Sequence, residues 1–377
     1  MSGFEWIVPI LMVILAYFNG ANDVSKGIAT LVGSGVTDYQ KALAWGTVWT
    51  VAGALLGSVL AVGMVKTIST GIVSINRPFG ILFPVSVLFG ALAWVGFASR
   101  FGLPVSTTHS IVGALVGSGL AMYGSQAIVW ASLYKKIVIP LLFSPLISFG
   151  LIFLLFPVIR TAFGKWNGHC FCLIPIQPSY LLVNQKGGIS KVSIADGESL
   201  PVISPVEDCS GQVQALKLNI DTFHWLTSGL TSFARGLNDT PKIVALGMFL
   251  FLTASHPTFN HSFYYFLASA IGMGLGSYWA GRKVTRVLAE KITRMDHLEG
   301  FSANAVTSFL VGTSANLGLP VSTTHVASGA IIGMGLKNGK GIYWKTVWEM
   351  VLAWGLTLPV SGFIAGLTVW IFSRFLP

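Results

Sequence analysis

Charged residues are scarce in this sequence: aspartate, glutamate, lysine and arginine together make up 10% of its 377 residues. A soluble domain carries about 25% charged residues, so this composition excludes an ordinary soluble fold. Hydrophobic residues reach 53%, and the mean hydropathy is +0.73. Apolar runs of about 20 residues, the length that crosses a bilayer, recur along the chain, and the 43 glycines suit close helix–helix approach in lipid. The composition predicts an all-α polytopic membrane protein.

Cysteine is also sparse, with three residues in one polar loop: Cys170, Cys172 and Cys209. An odd and sparse set predicts no disulfide framework, and we interpret Cys170 and Cys172 as ordinary loop thiols rather than metal ligands. A basic leader is lacking as well. The first apolar run, residues 6–18, follows the acidic Glu5, which argues against a cleavable signal peptide.

The chain contains an internal duplication, because two independent motifs return at one spacing. Residues 104–110 (PVSTTHS) recur at 320–326 (PVSTTHV), and residues 20–26 (GANDVSK) recur more loosely at 236–242 (GLNDTPK). In both cases the second copy lies 216 residues further along the chain: Pro320 corresponds to Pro104, and Asn238 corresponds to Asn22. Polar residues repeated within apolar chain indicate that both copies build one site.

Hydrophobic runs divide the chain into two transmembrane repeats, residues 1–160 and 222–377, joined by a polar linker over 161–221 with short β-prone runs. The first repeat is predicted to hold a helix over 5–35 that breaks near Asn19 and Gly20, a span over 41–65, a re-entrant helical hairpin over 80–98 and 105–121, and a long run over 126–160. The second is predicted to hold a broken helix over about 223–253, a span over 261–281, a hairpin over 300–336 and a run over 344–374.

The net charge of +10 comes from basic residues spread over loops, so membrane topology explains it better than a nucleic-acid partner. If each half crosses the bilayer an odd number of times, the two repeats have inverted topology. The loop over 282–294 carries five basic residues, whereas its first-half counterpart carries only Lys66 and Arg77. The excess of basic residues marks the cytoplasmic side. We therefore expect both termini outside and the linker inside a cell (inner or plasma) membrane.

The repeated polar residues are typical of an anion site at the bilayer midplane, where inverted repeats with broken helices meet. Half-helix N-termini carry free N–H groups and a positive dipole end that suit an anion. We expect four such starts, at Asn22, Ser106, Asn238 and Ser322. The full set of predicted substrate ligands is Asn22, Asp23, Ser106, Thr107, Thr108, Asn238, Asp239, Ser322, Thr323 and Thr324.

Asp23 and Asp239 are the most informative members, because an intramembrane carboxylate is by default a functional hypothesis. Beside a bound dianion each would need a bridging cation such as Na⁺, near Asn22 and Asn238, or a proton. A carboxylate that accepts a hydrogen bond favours hydrogen phosphate over sulfate, which has no proton to donate. Helix capping is the structural alternative.

Lys26 and Lys242 follow the two aspartates by three residues, within reach of the carboxylates on a helix. They are predicted either to form buried ion pairs that compensate charge or to contact the anion. His109 and His325 follow Ser106 and Ser322 by three residues. We expect them to support the hairpin tips. A Ser–His hydrolase would also need an orienting carboxylate and an oxyanion hole, so an enzyme is not expected.

Together these motifs resemble the inorganic phosphate transporter (PiT) family, over nearly the whole chain except the linker. The resemblance rests on GANDV at 20–24, GLNDT at 236–240 and the doubled GLPVSTTH at 102–109 and 318–325. It implies an inverted-repeat secondary transporter for phosphate that takes up Na⁺ or H⁺ as the co-transported ion, needs no cofactor and often forms a homodimer in the lipid bilayer. A sulfate or other oxyanion permease, and a passive anion channel, are the alternatives.

The sequence departs from that family in four places. The family typically has asparagine where this chain has Lys26 and Lys242, and many members have glutamate where it has Thr50 and Asn304. Relative to the family pattern, the site has gained two positive charges and lost two negative ones. A lysine ammonium can supply the charge of a Na⁺, so the departure places Na⁺ dependence and the choice of oxyanion in question.

Overall fold

The structure is a computed structural model that describes residues 6–74, 80–164, 167–175, 179–183, 189–193, 199–205, 216–249 and 262–374. Its architecture is mostly helical, as the composition predicts. Within these residues, five helices are long and apolar enough to cross a membrane: Ile7–Gly33 (with one interruption), Tyr39–Leu60, Leu82–Phe101, Trp130–Phe163 and Trp344–Phe372. Glu5, Arg77, Cys209 and the predicted helix end at 250–253 lie outside the described residues.

The described part of the first repeat contains eight α-helical segments, of which α7 is a single turn that leads through a π-helical turn (Leu133–Val138) into α8. The segments are α1 (Ile7–Asp23), α2 (Ser25–Gly33), α3 (Tyr39–Leu60), α4 (Val62–Thr70), α5 (Leu82–Phe101), α6 (Thr107–Tyr123), α7 (Trp130–Ser132) and α8 (Ile139–Phe163). The second repeat contains α9 (Ile220–Met248), α10 (Ser262–Ala280), α11 (Arg282–Glu290), α12 (His297–Asn316), α13 (Thr323–Lys337) and α14 (Trp344–Phe372).

Strands rather than helices occupy most of the described residues between α8 and α9, which qualifies the all-α prediction. Five short strands occupy it: β1 (His169–Pro175), β2 (Ser179–Val183), β3 (Ile189–Ser193), β4 (Ser199–Pro205) and β5 (Leu216–Leu218). They form an antiparallel sheet in the order β4-β1-β5 and a β2-β3 hairpin. Cys170 in β1 is disulfide-bonded, so the prediction of ordinary loop thiols is wrong for this residue; an odd set of cysteines still allows one pair.

The predicted helix breaks differ from the observed ones. The first helix is interrupted at Val24 rather than near Asn19 and Gly20, and Val24 itself keeps helical dihedrals (φ −56°, ψ −31°). Helix α9 is continuous through Asn238, so the predicted break there is wrong. Asn22 and Asn238 therefore lie within helices and not at half-helix N-termini. Their amide side chains find partners on neighbouring segments, so the backbone need not open to satisfy them.

Residues that are 216 apart pack against each other's repeat in matching fashion. A Cβ added at Gly276 in α10 would lie 1.8 Å from the carbonyl oxygen of Tyr17 in α1. A Cβ added at Gly53 in α3 would lie 2.0 Å from the carbonyl oxygen of Phe233 in α9. Tyr17 and Phe233 are equivalent positions of the duplication. Only glycine at positions 276 and 53 allows the helices to come this close. Each repeat thus presents the same backbone position, Tyr17 or Phe233, to a glycine of the other repeat.

Candidate functional site

The two repeated STT sequences begin α6 and α13 at the tips of two helical hairpins. Ser106 and Ser322 are the N-cap residues, with extended backbone (φ −95° and −91°). Each serine oxygen accepts a hydrogen bond from the backbone N–H of the histidine three residues later, at 3.2 Å for His109 and for His325. Helices therefore begin at both serines, at two of the four predicted positions. The serine oxygens bond the histidine backbone and not the imidazoles, which argues against a Ser–His nucleophile.

The hairpin tips bind each other through their threonines. Thr324 Oγ1 donates to the carbonyl oxygen of Val105 at 2.8 Å, and Thr108 Oγ1 donates to the carbonyl oxygen of Val321 at 3.3 Å. The two bonds are exchanged copies of one contact, because Thr108 and Thr324, and Val105 and Val321, are equivalent positions. Thr323 is buried in the first turn of α13. The tips of the two repeats therefore meet at one place inside the protein.

The first Asn-Asp motif holds Lys26 in a compact set of oxygens. The ammonium of Lys26 lies 2.6 Å from Asp23 Oδ1, 2.7 Å from the carbonyl oxygen of Asn22 and 2.9 Å from Asn22 Oδ1. Both members of the ion pair are buried, with side chains 0% and 2% exposed. The amide nitrogen of Asn22 donates to the carbonyl oxygen of Leu103, 2.9 Å away, beside the first tip.

The second motif uses its lysine differently, because Lys242 spans both hairpin tips. Its ammonium donates to Thr108 Oγ1 at 2.7 Å, Asp239 Oδ1 at 3.1 Å and the carbonyl oxygen of Val321 at 3.1 Å. Asn238 donates to the same carbonyl at 3.3 Å. The lysines were predicted either to form buried ion pairs or to contact the anion, and in the structure both form buried ion pairs.

Asn19 brings the two carboxylates together. Its amide nitrogen lies 2.9 Å from Asp23 Oδ2 and 3.4 Å from Asp239 Oδ2. It also donates to Thr107 Oγ1 at 3.0 Å, and Thr107 in turn donates to Asp23 Oδ2 at 3.2 Å. The structure thus joins both Asn-Asp motifs and both hairpin tips in one buried polar cluster. Whether its members bind phosphate stays a prediction.

Arg235 is the residue that the sequence interpretation missed. It occupies the second-half position equivalent to Asn19 and is fully buried. Its guanidinium donates to Thr50 Oγ1 at 2.8 Å, Ser277 Oγ at 3.2 Å and the carbonyl oxygen of Asn19 at 3.5 Å. Its Nε has no hydrogen-bond partner among the described residues. The available signal was an arginine within an otherwise uncharged stretch, one residue before the repeated GLND.

The two repeated histidines, His109 and His325, lie side by side in the first turns of α6 and α13. Their ring centroids are 4.7 Å apart, and the ring of His325 also lies 4.2 Å from Trp354. His325 Nδ1 is 3.2 Å from the carbonyl oxygen of Leu141. The predicted role of His109 and His325 in supporting the tips fits these contacts and stays a prediction.

A basic cavity of about 560 Å³ lies beside the first Asn-Asp motif. Ser99, on its wall, accepts a hydrogen bond from Asn22 Nδ2 at 3.3 Å. The four basic side chains on the wall are Arg100, Arg282, Lys283 and Arg286. Four basic side chains on one wall make this cavity electropositive. The described residues contain no group of three or more His, Cys, Asp or Glu that could hold a metal ion.

The comparisons with known proteins agree with one another. The model of the phosphate transporter family matches residues 19–365. The chain is 27% identical to a "Probable low-affinity inorganic phosphate transporter" of Bacillus subtilis, over 97% of this chain and 98% of the relative. A protein of the same description from Rhizobium meliloti is also 27% identical, over 97% and 96%. Among solved structures, "The sodium-dependent phosphate transporter" matches with a TM-score of 0.79 at 25% identity, covering 99% of both chains.

Proposed function

Because the chain belongs to the phosphate transporter family, we propose that it is a secondary active transporter that imports inorganic phosphate by symport with Na⁺ or H⁺. The observation that carries the proposal is the convergence of both Asn-Asp motifs and both hairpin tips on one buried cluster. Asn19 links the two carboxylates, and Lys242 links the second motif to both tips. A site built equally from two repeats suits a substrate handed from one side to the other.

The chemistry of the cluster favours a tetrahedral oxyanion. Thr108 accepts a hydrogen bond from the buried Lys242, and Asn238 donates to the same carbonyl oxygen as that lysine. The basic cavity beside the first Asn-Asp motif adds a positive field near the cluster. The carboxylates of Asp23 and Asp239 accept hydrogen bonds, so they favour an anion that still carries a proton. Hydrogen phosphate has one and sulfate has none.

The transport cycle we propose is alternating access at a midplane site shared by two inverted repeats. Matching contacts between the two repeats support it. Tyr17 packs against Gly276, and its equivalent Phe233 packs against Gly53. Each hairpin tip also donates a hydrogen bond to the other through a threonine at the equivalent position. Two halves that pack against each other in equivalent ways can trade conformations at little net cost in free energy, because an interaction broken in one half forms again at the equivalent position of the other.

We further propose the division into repeats at 1–160 and 222–377 around a linker over 161–221, a cell-membrane location and a homodimeric assembly. The basic residues over 282–294, predicted as a loop but folded largely into α11 (Arg282–Glu290), favour a cytoplasmic linker. The disulfide at Cys170 favours the opposite side, since disulfides persist mainly in oxidising compartments. Labelling of intact cells with an impermeant maleimide, at single cysteines introduced in place of Lys283 and Ser125, reports which end faces outside.

Uptake of radiolabelled phosphate into proteoliposomes tests the proposal. Accumulation above equilibrium under an inward ion gradient, with no inhibition by excess sulfate, is the expected result. Uptake that never exceeds equilibrium would indicate a channel, and strong inhibition by sulfate would indicate another oxyanion.

Variants of the two aspartates test the site itself. Asp23→Asn and Asp239→Asn should each reduce uptake by at least about tenfold, because the removed charge is buried in the cluster. The exposed Asp38→Asn is the matched control. Normal uptake in both single variants would remove the aspartates from the mechanism.

A further inference from the structure

Each of the two buried lysines is saturated by oxygen atoms. An ammonium has three donor hydrogens, and Lys26 has three oxygens at 2.6–2.9 Å: a carboxylate, a backbone carbonyl and an amide oxygen. Lys242 likewise has a carboxylate, a backbone carbonyl and a hydroxyl oxygen at 2.7–3.1 Å. No donor of either ammonium is left over to bind an anion.

These oxygen sets are of the kind that binds a coupling cation in secondary transporters. Transported Na⁺ is commonly coordinated by backbone carbonyl oxygens at helix interruptions, and the carbonyl oxygen of Asn22 lies beside the interruption at Val24. Here the ammonium groups of Lys26 and Lys242, both 1% exposed, fill the centres of such sets. A Na⁺ entering either one would lie within a few ångströms of a like charge in a poorly screened interior.

Arg235 adds a third resident positive charge. None of the described carboxylates lies within ion-pair distance of its guanidinium, which bonds only neutral oxygens. The cluster thus contains the carboxylates of Asp23 and Asp239 against three basic side chains. With all five groups ionised, one positive charge remains before any substrate enters, so an anion needs no further cation to offset the carboxylates.

We propose that Lys26 and Lys242 are tethered replacements for co-transported cations, so that phosphate transport by this chain does not use Na⁺. The proposal rests on the proposed function and selects between its two coupling ions. It also distinguishes this chain from the sodium-dependent phosphate transporter whose structure it resembles. The lysines stay with the protein through the cycle, and no Na⁺ crosses with phosphate.

The first experiment measures phosphate uptake by wild-type proteoliposomes under one fixed pH gradient, with Na⁺ or with N-methylglucamine as the external cation. The expected initial rates agree within about twofold. A stimulation of about tenfold or more by Na⁺, the size of effect produced by 1.4 kcal/mol of coupling, would overturn the proposal.

The second experiment removes the lysine ammonium from each set of oxygen ligands. Lys242→Ala removes the ammonium and leaves space, whereas Lys242→Met removes the charge but keeps the volume. In N-methylglucamine both variants should lose at least about tenfold of the uptake rate. Added Na⁺ should restore uptake in the alanine variant and not in the methionine variant; Lys26→Ala and Lys26→Met form the matched set. A wild-type rate in Lys242→Ala without Na⁺, or no rescue of either alanine variant by Na⁺, would also overturn the proposal.

A third measurement does not depend on transport. The apparent midpoint of thermal unfolding in detergent should be the same in Na⁺ and N-methylglucamine for the wild type, and should rise by about 3–5 °C in Na⁺ for Lys242→Ala. If the wild type moves no phosphate under any gradient, the proposed function fails while this comparison still decides the tethered-cation proposal. Stabilisation of the wild type by Na⁺ would overturn it.

Discussion

Separating the buried pair Asp239–Lys242 is expected to destabilise the protein more than removing both charges. The two groups are 3.1 Å apart, and their side chains are 3% and 1% exposed. Removal of one partner strands the other charge in the interior, which costs about 3–5 kcal/mol, whereas neutral replacement of both is often tolerated. Lys242→Met and Asp239→Asn should therefore each be harmful alone and much less harmful together.

The assay is a double-mutant cycle on thermal unfolding in detergent. At about 2 °C per kcal/mol, each single variant should lower the apparent midpoint by roughly 6–10 °C. The double variant should recover part of this loss. It should not recover all of it, because Lys242→Met also removes the hydrogen bonds to Thr108 and Val321. The exposed pair Asp38–Lys41, at 54% and 75% exposure, is the control and should show no coupling.

An additive result would refute this reasoning. If the double variant loses the sum of the two single losses, the carboxylate does not stabilise the buried ammonium, and Lys242 is held by the hairpin tips alone. The same cycle on Asp23 and Lys26 separates the two explanations further. Among the described residues Lys26 bonds atoms of Asn22 and Asp23 and none of the hairpin tips, so its cycle measures coupling to the carboxylate without bonds to the tips.

Three further changes have definite expected outcomes. Thr324→Val should cost about 1 kcal/mol of unfolding free energy by removing one buried hydrogen bond, whereas the exposed Thr161→Val should be neutral; equal effects in a denaturation assay would contradict the hydrogen bond between the tips. Gly276→Ala should cost about 1–3 kcal/mol because its Cβ meets backbone at 1.8 Å, while Gly355→Ala, with nothing within 4 Å, should not destabilise; a stable Gly276→Ala protein would contradict the packing. His297 hydrogen-bonds a carboxylate that raises its pKa above the usual 6.5, so its stabilising contribution is full at pH values below 6.5 and is lost as pH rises through the raised value. As pH rises through this range, the midpoint of thermal unfolding should fall more for the wild type than for His297→Gln. If both proteins show the same pH dependence, the His297–Asp221 pair does not cause the loss of stability.

The duplication made much of the fold predictable. Hairpins over 80–121 and 300–336 were expected from the repeated polar tips, and α5, α6, α12 and α13 occupy these regions. Of the four expected helix starts, those at Ser106 and Ser322 are N-caps in the structure. These features are local, because the residues that determine them are neighbours in the chain.

The helix breaks were not predictable, because they depend on distant partners. Asn22 and Asn238 look like helix breakers in isolation. Asn22 donates to the carbonyl oxygen of Leu103, and Asn238 to that of Val321, so both stay within helices. Glycine before asparagine and aspartate indicated an opening of the backbone, whereas Gly20 instead permits close packing against the backbone of Met273.

Arg235 was missed for a related reason. The repeated residues indicated the site, and Arg235 is not repeated, since it corresponds to Asn19 rather than to a second arginine. A duplicated protein whose two halves were chemically identical would have an even charge at its centre. The replacement of one asparagine by arginine instead gives the buried cluster an odd positive charge, which an anion can balance.

The same asymmetry predicts what changes between the two ends of a transport cycle. Lys242 bonds Thr108 and Val321, while Lys26 bonds only its own motif. If the repeats exchange conformations, the equivalent partners of Lys26 are Thr324 and Val105, and Lys242 must release the tips as Lys26 engages them. Cysteines at 26 and 324 should therefore cross-link only in the state opposite to this one, and cysteines at 242 and 108 only in this one. Simultaneous cross-linking of both pairs in a single state would contradict an exchange, because the two lysines would then act together and not in turn.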